Sequence, residues 1–520
     1  MQKKQFRRIA CQEKIIPFCN GKGNSNYYIS RFVSLITPQY IGITAKQIGF
    51  IKRKANLNPS KLVEALVMTA GKSCNMKIAS IKEYYASLAR SGEDPCDKPF
   101  HNRLRQDGCV TVMMFILARL QNKILSTVNN TAVKELLQEL NECGLDIEDF
   151  FLHDGTYWHV NGELAEEFPG TRSAGKGKGK AKKLTYTTLD PEGNVVTEEK
   201  AKNAQIGLQV TWSMLHECVV DLGIGGATEN EKNYVFATAA KKVLHLFDSG
   251  YVSYEMYGEI KETGELIGKL RSNSAGKIVS CHMGKKDLTE HFKDKKLSDA
   301  SVSHYLEHRV MDLTVEFNGE NYRVIRFFSK KDQKVQYLIT SIRTRKIKAE
   351  VIKALYKLRW QIERKFMDLK SGSNLRGANT RIKNIVYVML FASLIASLIK
   401  TLVAYSIREK LKKDASMYKI SVRTYSWFDR LIKAIFRSNM KTIKSIIYKM
   451  ARSKGDYTMS HQSKDKISDL KTLKSTISFI IKSLKQCCFE PTERGMRTKS
   501  WTPLLILTKS EPVLYRAQSS

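Results

Sequence analysis

The ten cysteines include no CxxC pair and no Cys/His zinc spacing, which excludes a zinc ribbon or a dithiol redox motif. Cys487 and Cys488 are adjacent and poorly spaced to share one metal, so free thiols in a reducing compartment are expected. The first twenty residues are basic but lack a continuous apolar segment, so no signal peptide is expected. The longest apolar run, 385–399 (IVYVMLFASLIASLI), stops at Lys400. It falls short of the roughly 20 residues that span a bilayer and predicts a buried core helix, with no membrane partner. No internal repeat occurs, which excludes a solenoid or propeller.

Acidic residues are also scarce. Lys+Arg total 87 against 51 Asp+Glu, a formal charge of +36 and a pI near 9.7. A surplus of this size suits a polyanionic partner, because cations that neutralise phosphates release condensed counterions. The hydrophobic fraction of 42% is that of a globular chain, and 520 residues suffice for two to four domains.

Residues 1–145 read as mostly helical. The spacing predicts an amphipathic helix over Ile78–Leu88, a turn at 91–95 and a short basic segment, 98–105. This is either a helix-turn-helix with His101, Asn102, Arg103 and Arg105 facing DNA, or a helical hairpin with a solvated basic face. Phe150–His153 predicts a short buried strand ending at Asp154-Gly155. The alternating Gly and Lys of 175–183 predict a flexible cationic loop. Strands follow at Ile206–Trp212 and Cys218–Leu222. Thr228-Glu229-Asn230-Glu231 has the form of a capping box opening a helix to about Ala240. Val243–Phe247 then predicts a strand ending at Asp248. Two carboxylates are thus expected at the ends of two neighbouring strands of a mixed sheet. Residues 265–345 are β-rich, with a hairpin turn at Asn318-Gly319 between Asp312–Phe317 and Asn321–Phe328. Tyr337–Ile342 predicts a further strand, and helix is expected from about Lys348 to Lys370.

On that helix Tyr356, Arg359, Glu363 and Lys370 fall within roughly 60° of arc. Leu355, Leu358, Ile362, Phe366 and Leu369 form a second stripe that should face the core. One face therefore offers a carboxylate, two cations and a phenol. Taken alone this is an ordinary salt-bridge ladder. Combined with Asp154 and Asp248, it gives three carboxylates that suit a hard divalent cation. Arg359 and Lys370 would then hold backbone phosphates, arginine as a bidentate fork and lysine as a point charge.

Tyr356-x2-Arg359-x3-Glu363-x6-Lys370 resembles the Tyr-Arg-Glu-Lys signature of a large group of bacterial insertion-sequence transposases with a DDE active site (insertion-sequence family four). His153-Asp154-Gly155-Thr156 resembles the group's first-aspartate motif and Asp248-Ser249-Gly250-Tyr251 its second. Tyr337-Leu338-Ile339-Thr340 and Leu375-Arg376-Gly377 also look like the family. The resemblance covers about residues 150–400.

The resemblance implies an α/β, RNase H-like mixed-sheet core with a β-rich insertion and helical flanks. Its domains are a helical N-terminal DNA-binding region (1–145), the first part of the core (146–264), the insertion (265–345), the catalytic helix and end of the core (346–405) and a basic helical C-terminal region (406–520). Asp154, Asp248 and Glu363 are implied as catalytic metal ligands for Mg²⁺, with Mn²⁺ able to substitute. Tyr356, Arg359, Lys370 and Arg376 are implied to contact DNA. The activity implied is cut-and-paste transposition, with end cleavage and strand transfer by a homodimer synapsing terminal inverted repeats and target DNA, in the cytoplasm on the nucleoid. A catalytically silent DNA-binding derivative and a cellular RNase H-like nuclease are the alternatives. Trp360 reads either as packing or as a base-stacking residue, His153 as a ligand, a proton carrier or a space-filling ring, and His245 as core.

Overall fold

The computed structural model describes residues 36–51, 57–72, 76–89, 96–171, 185–189, 195–199, 204–231, 240–271, 273–330, 332–343, 347–375, 377–411, 415–424, 427–453, 457, 474–475, 477–479 and 481. The cationic 175–183 segment, Arg376 and the chain beyond 481 lie outside them. The chain divides into residues 1–478 and 479–520. Of the second unit only Phe479 and Ile481 are described, and every named helix and strand belongs to the first.

Among the described residues, six helices precede the sheet: α1 (Pro38–Gln47), α2 (Pro59–Gly71), α3 (Ile78–Leu88), α4 (Asp97–Leu104), α5 (Asp107–Leu125) and α6 (Thr131–Glu142). Thr37 and Asn58 cap the first two, each followed by proline in the first turn, where a missing N–H costs nothing. α2 is buried along nearly its whole length, including Glu64, whose carboxyl burial pushes up to about 7. α3 has the predicted bounds and turns Ile81 and Tyr85 inward. The basic segment is helix α4, but Arg103 donates to the Phe50 carbonyl at 3.1 Å and is partly committed to the protein.

The central feature is one mixed sheet of 11 strands among the described residues. Its first five members in space are β5 (Cys218–Gly226), β4 (Ala204–Ser213), β1 (Asp149–Val160), β6 (Val243–Phe247) and β7 (Glu265–Lys269). β1, β4 and β5 pair antiparallel, whereas β6 runs parallel to β1 and β7 parallel to β6. This order, third-second-first-fourth-fifth with the last two parallel, is that of an RNase H-like core. The sheet continues from β7 through β12 (Lys334–Thr340), β11 (Glu320–Ser329) and β10 (Met311–Phe317) to β8 (Lys277–Met283) and β9 (Lys286–Asp287). The β10–β11 hairpin turns at Asn318 (φ 51°) and Gly319 (φ 81°), both left-handed as the sequence required. A separate hairpin pairs β2 (Thr185–Leu189) with β3 (Val195–Glu199).

Three local expectations are corrected. The first strand does not stop at Asp154, because antiparallel pairing with β4 carries it to Val160. Asp154 therefore sits in mid-strand. Thr228–Asn230 form a turn rather than a helical first turn; Glu229 folds back to accept from the Gly226 amide at 2.9 Å, and 232–239 lie outside the described residues. The helix expected over 348–370 is broken into α8 (Ala349–Tyr356) and α9 (Trp360–Gly372) by a 3₁₀ turn, Lys357–Arg359.

The apolar run lies within α10 (Lys383–Leu411), long and apolar enough to cross a membrane, yet its apolar window is wholly enclosed by protein. α10 packs against α2 and α5. α11 (Met417–Val422), α12 (Phe428–Phe436) and α13 (Met440–Arg452) follow, the last burying Ile443, Ile446 and Ile447 and leaving Lys441 and Lys449 exposed.

β6 and β7 meet through α7 (Tyr254–Thr263) and Gly264. A Cβ at Gly264 would lie 2.5 Å from the Val243 carbonyl oxygen, a backbone atom that cannot give way. Gly264→Ala is expected to destabilise the fold by about 1–3 kcal/mol, the usual cost of overpacking. A denaturant melt checks it, and an unchanged midpoint would mean that this strand pair tolerates displacement.

Candidate active site

β1 and β6 run parallel with His153 beside Phe247. One step further along the same register, Asp154 and Asp248 are neighbours, and the period of two puts both side chains on one face. Asp248 ends its strand as the N-cap of the Ser249–Tyr251 3₁₀ turn, accepting from the Ser249 amide at 2.8 Å. Asp154 Oδ1 accepts from the Gly155 amide at 2.9 Å.

The third carboxylate arrives on α9. Leu355, Leu358, Ile362, Phe366 and Leu369 are all buried, as their stripe predicted, and this face anchors the helix. Glu363 lies in the first turn of α9, beside Arg359. The Arg359 guanidinium donates from Nη1 to Asp154 Oδ2 at 3.1 Å and from Nη2 to Glu363 Oε1 at 2.7 Å. One buried arginine, 8% exposed, thus joins strand β1 to the helix. This is not the solvated ladder that the helix face alone suggests.

Burial and charge compete at each of these groups. Burial pushes the Asp154 carboxyl up to about 6, against the pull of Arg359, and the charges of Asp248 and Glu363 add to the rise. Burial works against the Arg359 charge, but Tyr356, Asp248, Asp154 and Glu363 together hold its pKa above the ordinary arginine value. Burial also raises the Tyr356 phenol, opposed by Arg359. Tyr356 Oη and Arg359 Nε are both enclosed without an aligned hydrogen-bond partner, so each keeps unused polar capacity inside the site. Burial lowers the Lys370 ammonium while Asp154 opposes the shift, which puts this lysine within electrostatic reach of Asp154.

The predicted residues are therefore brought into one neighbourhood, Arg376 excepted because it is not described. Among the described residues, however, no three His, Cys, Asp or Glu side chains lie close enough to hold one metal ion. Arg359 stands between Asp154 and Glu363 as their cation. The donor set itself, carboxylate oxygens whose charge needs compensation, has the chemistry of a hard divalent site.

Other residues were not anticipated. Tyr157 donates to Glu231 Oε1 at 3.4 Å, and Tyr251 donates to Gln209 Oε1 at 2.6 Å. Burial raises the Glu231 carboxyl, and Asp248 contributes to the rise, so a fourth carboxylate borders the site. Gln209, a polar residue in the apolar run of β4, was a readable signal. Glu231 was hidden by its apparent membership of a capping box. Behind Asp154, His153 is buried and shares hydrogen bonds with His245 (2.9 Å) and Thr211 (3.1 Å). Burial drives His153 well below its ordinary value and His245 down to about 3. Both are neutral core rings. Trp360 is 44% exposed, with more than half of its surface covered by protein.

Residues 147–399 match the model of a protein family described as "Transposase DDE domain". Asp154, Asp248 and Glu363 all fall inside the match. Among solved structures, the chain is similar to the piggyBac transposase in a cryo-EM structure of its synaptic complex with hairpin DNA. The two share 14% identity over 87% of this chain and 86% of that chain, with a TM-score of 0.36. No curated protein matches the chain.

Proposed function

We propose that the chain is a DDE-type DNA transposase that binds the ends of an insertion sequence and carries out cut-and-paste transposition. The observation that carries this reading is the meeting of Asp154 and Asp248 on adjacent parallel strands with Glu363 through Arg359, inside a segment similar to the transposase DDE domain. In this reading Asp154, Asp248 and Glu363 would hold the divalent ion, Mg²⁺ or Mn²⁺, which requires them to draw closer than they stand here and Arg359 to leave its place between Asp154 and Glu363. When bound, such an ion stabilises charge on the attacking and leaving oxygens of a phosphodiester displacement. The protein's own contribution is orientation. The two strands fix the aspartates, and the 3₁₀ turn ahead of α9 sets Arg359 and Glu363 against them. Lys370 and Arg359 carry charge suited to DNA phosphates. The partner is double-stranded DNA, bound by a homodimer because two ends must be brought together, and the site of action is the bacterial nucleoid.

Nicking of a supercoiled plasmid that carries the DNA flanking the coding gene tests the reading. The wild-type chain should nick it with Mg²⁺ or Mn²⁺ and not with chelator. Asp248→Asn and Glu363→Gln should each lose at least a hundredfold in rate; undiminished nicking by either would remove that residue from the site. The guanidinium between Asp154 and Glu363 favours a second reading, a transposase-derived protein that binds DNA without cutting it. Binding to the same plasmid with no nicking under any divalent metal would select that alternative.

Binding should also weaken steeply with salt. A protein contacting 6–10 phosphates loses about 10³–10⁵ in affinity between 50 and 200 mM salt. A filter-binding titration across that range checks it, and a flat response would contradict phosphate-dominated recognition.

A further inference from the structure

Lys400 interrupts the long apolar helix α10 and plays no part in the chemistry above. It is fully buried. Its ammonium donates to the carbonyl oxygens of Gly71 at 2.8 Å, Gly372 at 2.5 Å and Ser421 at 3.0 Å. Gly71 is the last residue of α2, Gly372 the last of α9, and Ser421 the penultimate residue of α11. The final four carbonyls of any helix have no partner within that helix and carry its negative end. An ammonium has three donors and no acceptor. Lys400 therefore spends every donor on three helix ends that would otherwise be buried with unmet acceptors.

The surrounding packing is built for this convergence. A Cβ at Gly71 would lie 2.0 Å from the Phe428 ring, and one at Gly372 would lie 2.5 Å from Ser421 Cβ. Glycine lets the helix ends approach. Lys400 Nζ also sits 5.0 Å from the Phe428 ring centroid, within cation–π range. Just past α9, Asn374 donates to the Thr69 and Ala70 carbonyls, both at 3.1 Å, and to that of Lys72. Asn374 holds a left-handed φ of 56°. Two side chains thus tie the end of α9 to the end of α2. Burial lowers the Lys400 ammonium to about 7, with Asp368 acting to raise it and Lys365 to lower it.

We propose that Lys400 is a positioning residue of α9: it locks the C-terminal end of the helix that carries Glu363 and Lys370 onto the N-terminal helix α2 and onto α11. This rests on the reading of α9 as the helix of the active site. The lock acts through the helix, since Lys370 lies within a turn of Gly372 and Glu363 lies at the opposite end of the same rigid element. A helix anchored at one end only by its apolar stripe can slide or rotate along β1. The junction removes that freedom and links the site to the helices that precede the sheet.

The test compares wild type, Lys400→Met and Asn374→Gly as full-length proteins. Asn374→Gly keeps the left-handed backbone while removing the amide, and it serves if the methionine variant does not fold. Hydrogen–deuterium exchange is followed in peptides covering 366–375 and 66–72, with β1 and β6 as internal controls, alongside nicking of the flanking-DNA plasmid with Mn²⁺. Exchange at both helix ends should rise tenfold or more together, with β1 and β6 unchanged. Nicking should fall at least tenfold while plasmid affinity stays within about threefold. Unchanged exchange at the helix ends would overturn the proposal. So would exchange rising everywhere, which marks a purely structural role, or nicking at the wild-type rate despite loosened ends. Should the wild type itself fail to nick, the transposase reading falls, and the exchange measurement still decides whether the junction holds α9.

Discussion

Asp154→Asn is expected to abolish strand cleavage and, at the same time, to raise the melting temperature of the metal-free protein at pH 8. Both effects come from one carboxylate. Burial lifts its pKa from 3.8 to about 6 despite Arg359 at 3.1 Å. A folded-state pKa above the unfolded value means that the native protein holds a proton the unfolded chain has released. Stability is then unaffected below about pH 3.8, declines as pH rises through about 6, and stays reduced above it. A shift of that size corresponds to about 3 kcal/mol. Asparagine resembles the neutral form and should recover much of it, worth a few degrees of melting temperature in a chain of this size. Near pH 4 the two proteins should melt alike. Thermal melts in chelator at the two pH values are the check. A lower melting temperature for the variant at pH 8 would mean that the ion pair with Arg359 outweighs the burial of Asp154.

Arg359→Ala should act in the opposite direction. The arginine is 8% exposed and is the cation shared by Asp154 and Glu363. Removing one partner of a buried ion pair leaves uncompensated charge and typically costs about 3–5 kcal/mol. The cost depends on the carboxylates being ionised. Arg359 holds the Asp154 pKa down, so without it the carboxyl protonates above the wild-type value of about 6; the cost should be large at pH 8 and shrink as pH falls to about 6. Millimolar Mg²⁺ or Mn²⁺ should restore part of the lost stability to the variant and add less to the wild type, because the ion and the guanidinium answer the same negative charge. Melting curves with and without metal decide it. Equal metal effects on both proteins would show that Arg359 is not the internal counter-ion of this site. Together the two substitutions separate the cost of assembling negative charge from the group that offsets it.

Much of this site was legible in the chain itself. Val243–Phe247 was a strand because four apolar residues and His245 run up to the break at Asp248-Ser249-Gly250, and its bounds match the structure. The stripe from Leu355 to Leu369 was a core face because its spacing allows no other. The hairpin at Asn318-Gly319 followed from the two residues that adopt positive φ at least cost. Errors arose where pairing overrode a local stop. Asp154-Gly155 looked like a strand end, yet ten residues of register with β4 carry the strand past it. The helix over 348–370 had no breaker in it, and its 3₁₀ turn at Lys357–Arg359 left no mark on the pattern.

The amino-acid sequence by itself determined the strong positive charge, the order of three carboxylates along the chain, and the apolar faces that make each helix and strand fold where it does. These depend on neighbours within one or two turns, and periodicity reports them directly. The tertiary structure alone decided that Asp154 and Asp248 lie side by side, that Arg359 stands between Asp154 and Glu363, that Glu231 borders the same site, and that Lys400 closes three helix ends at once. Each of these joins segments from about 20 to more than 300 residues apart, through sheet register and helix packing. No local pattern encodes such a contact. It exists only when the whole core closes and removes the water that would otherwise have solvated those charges.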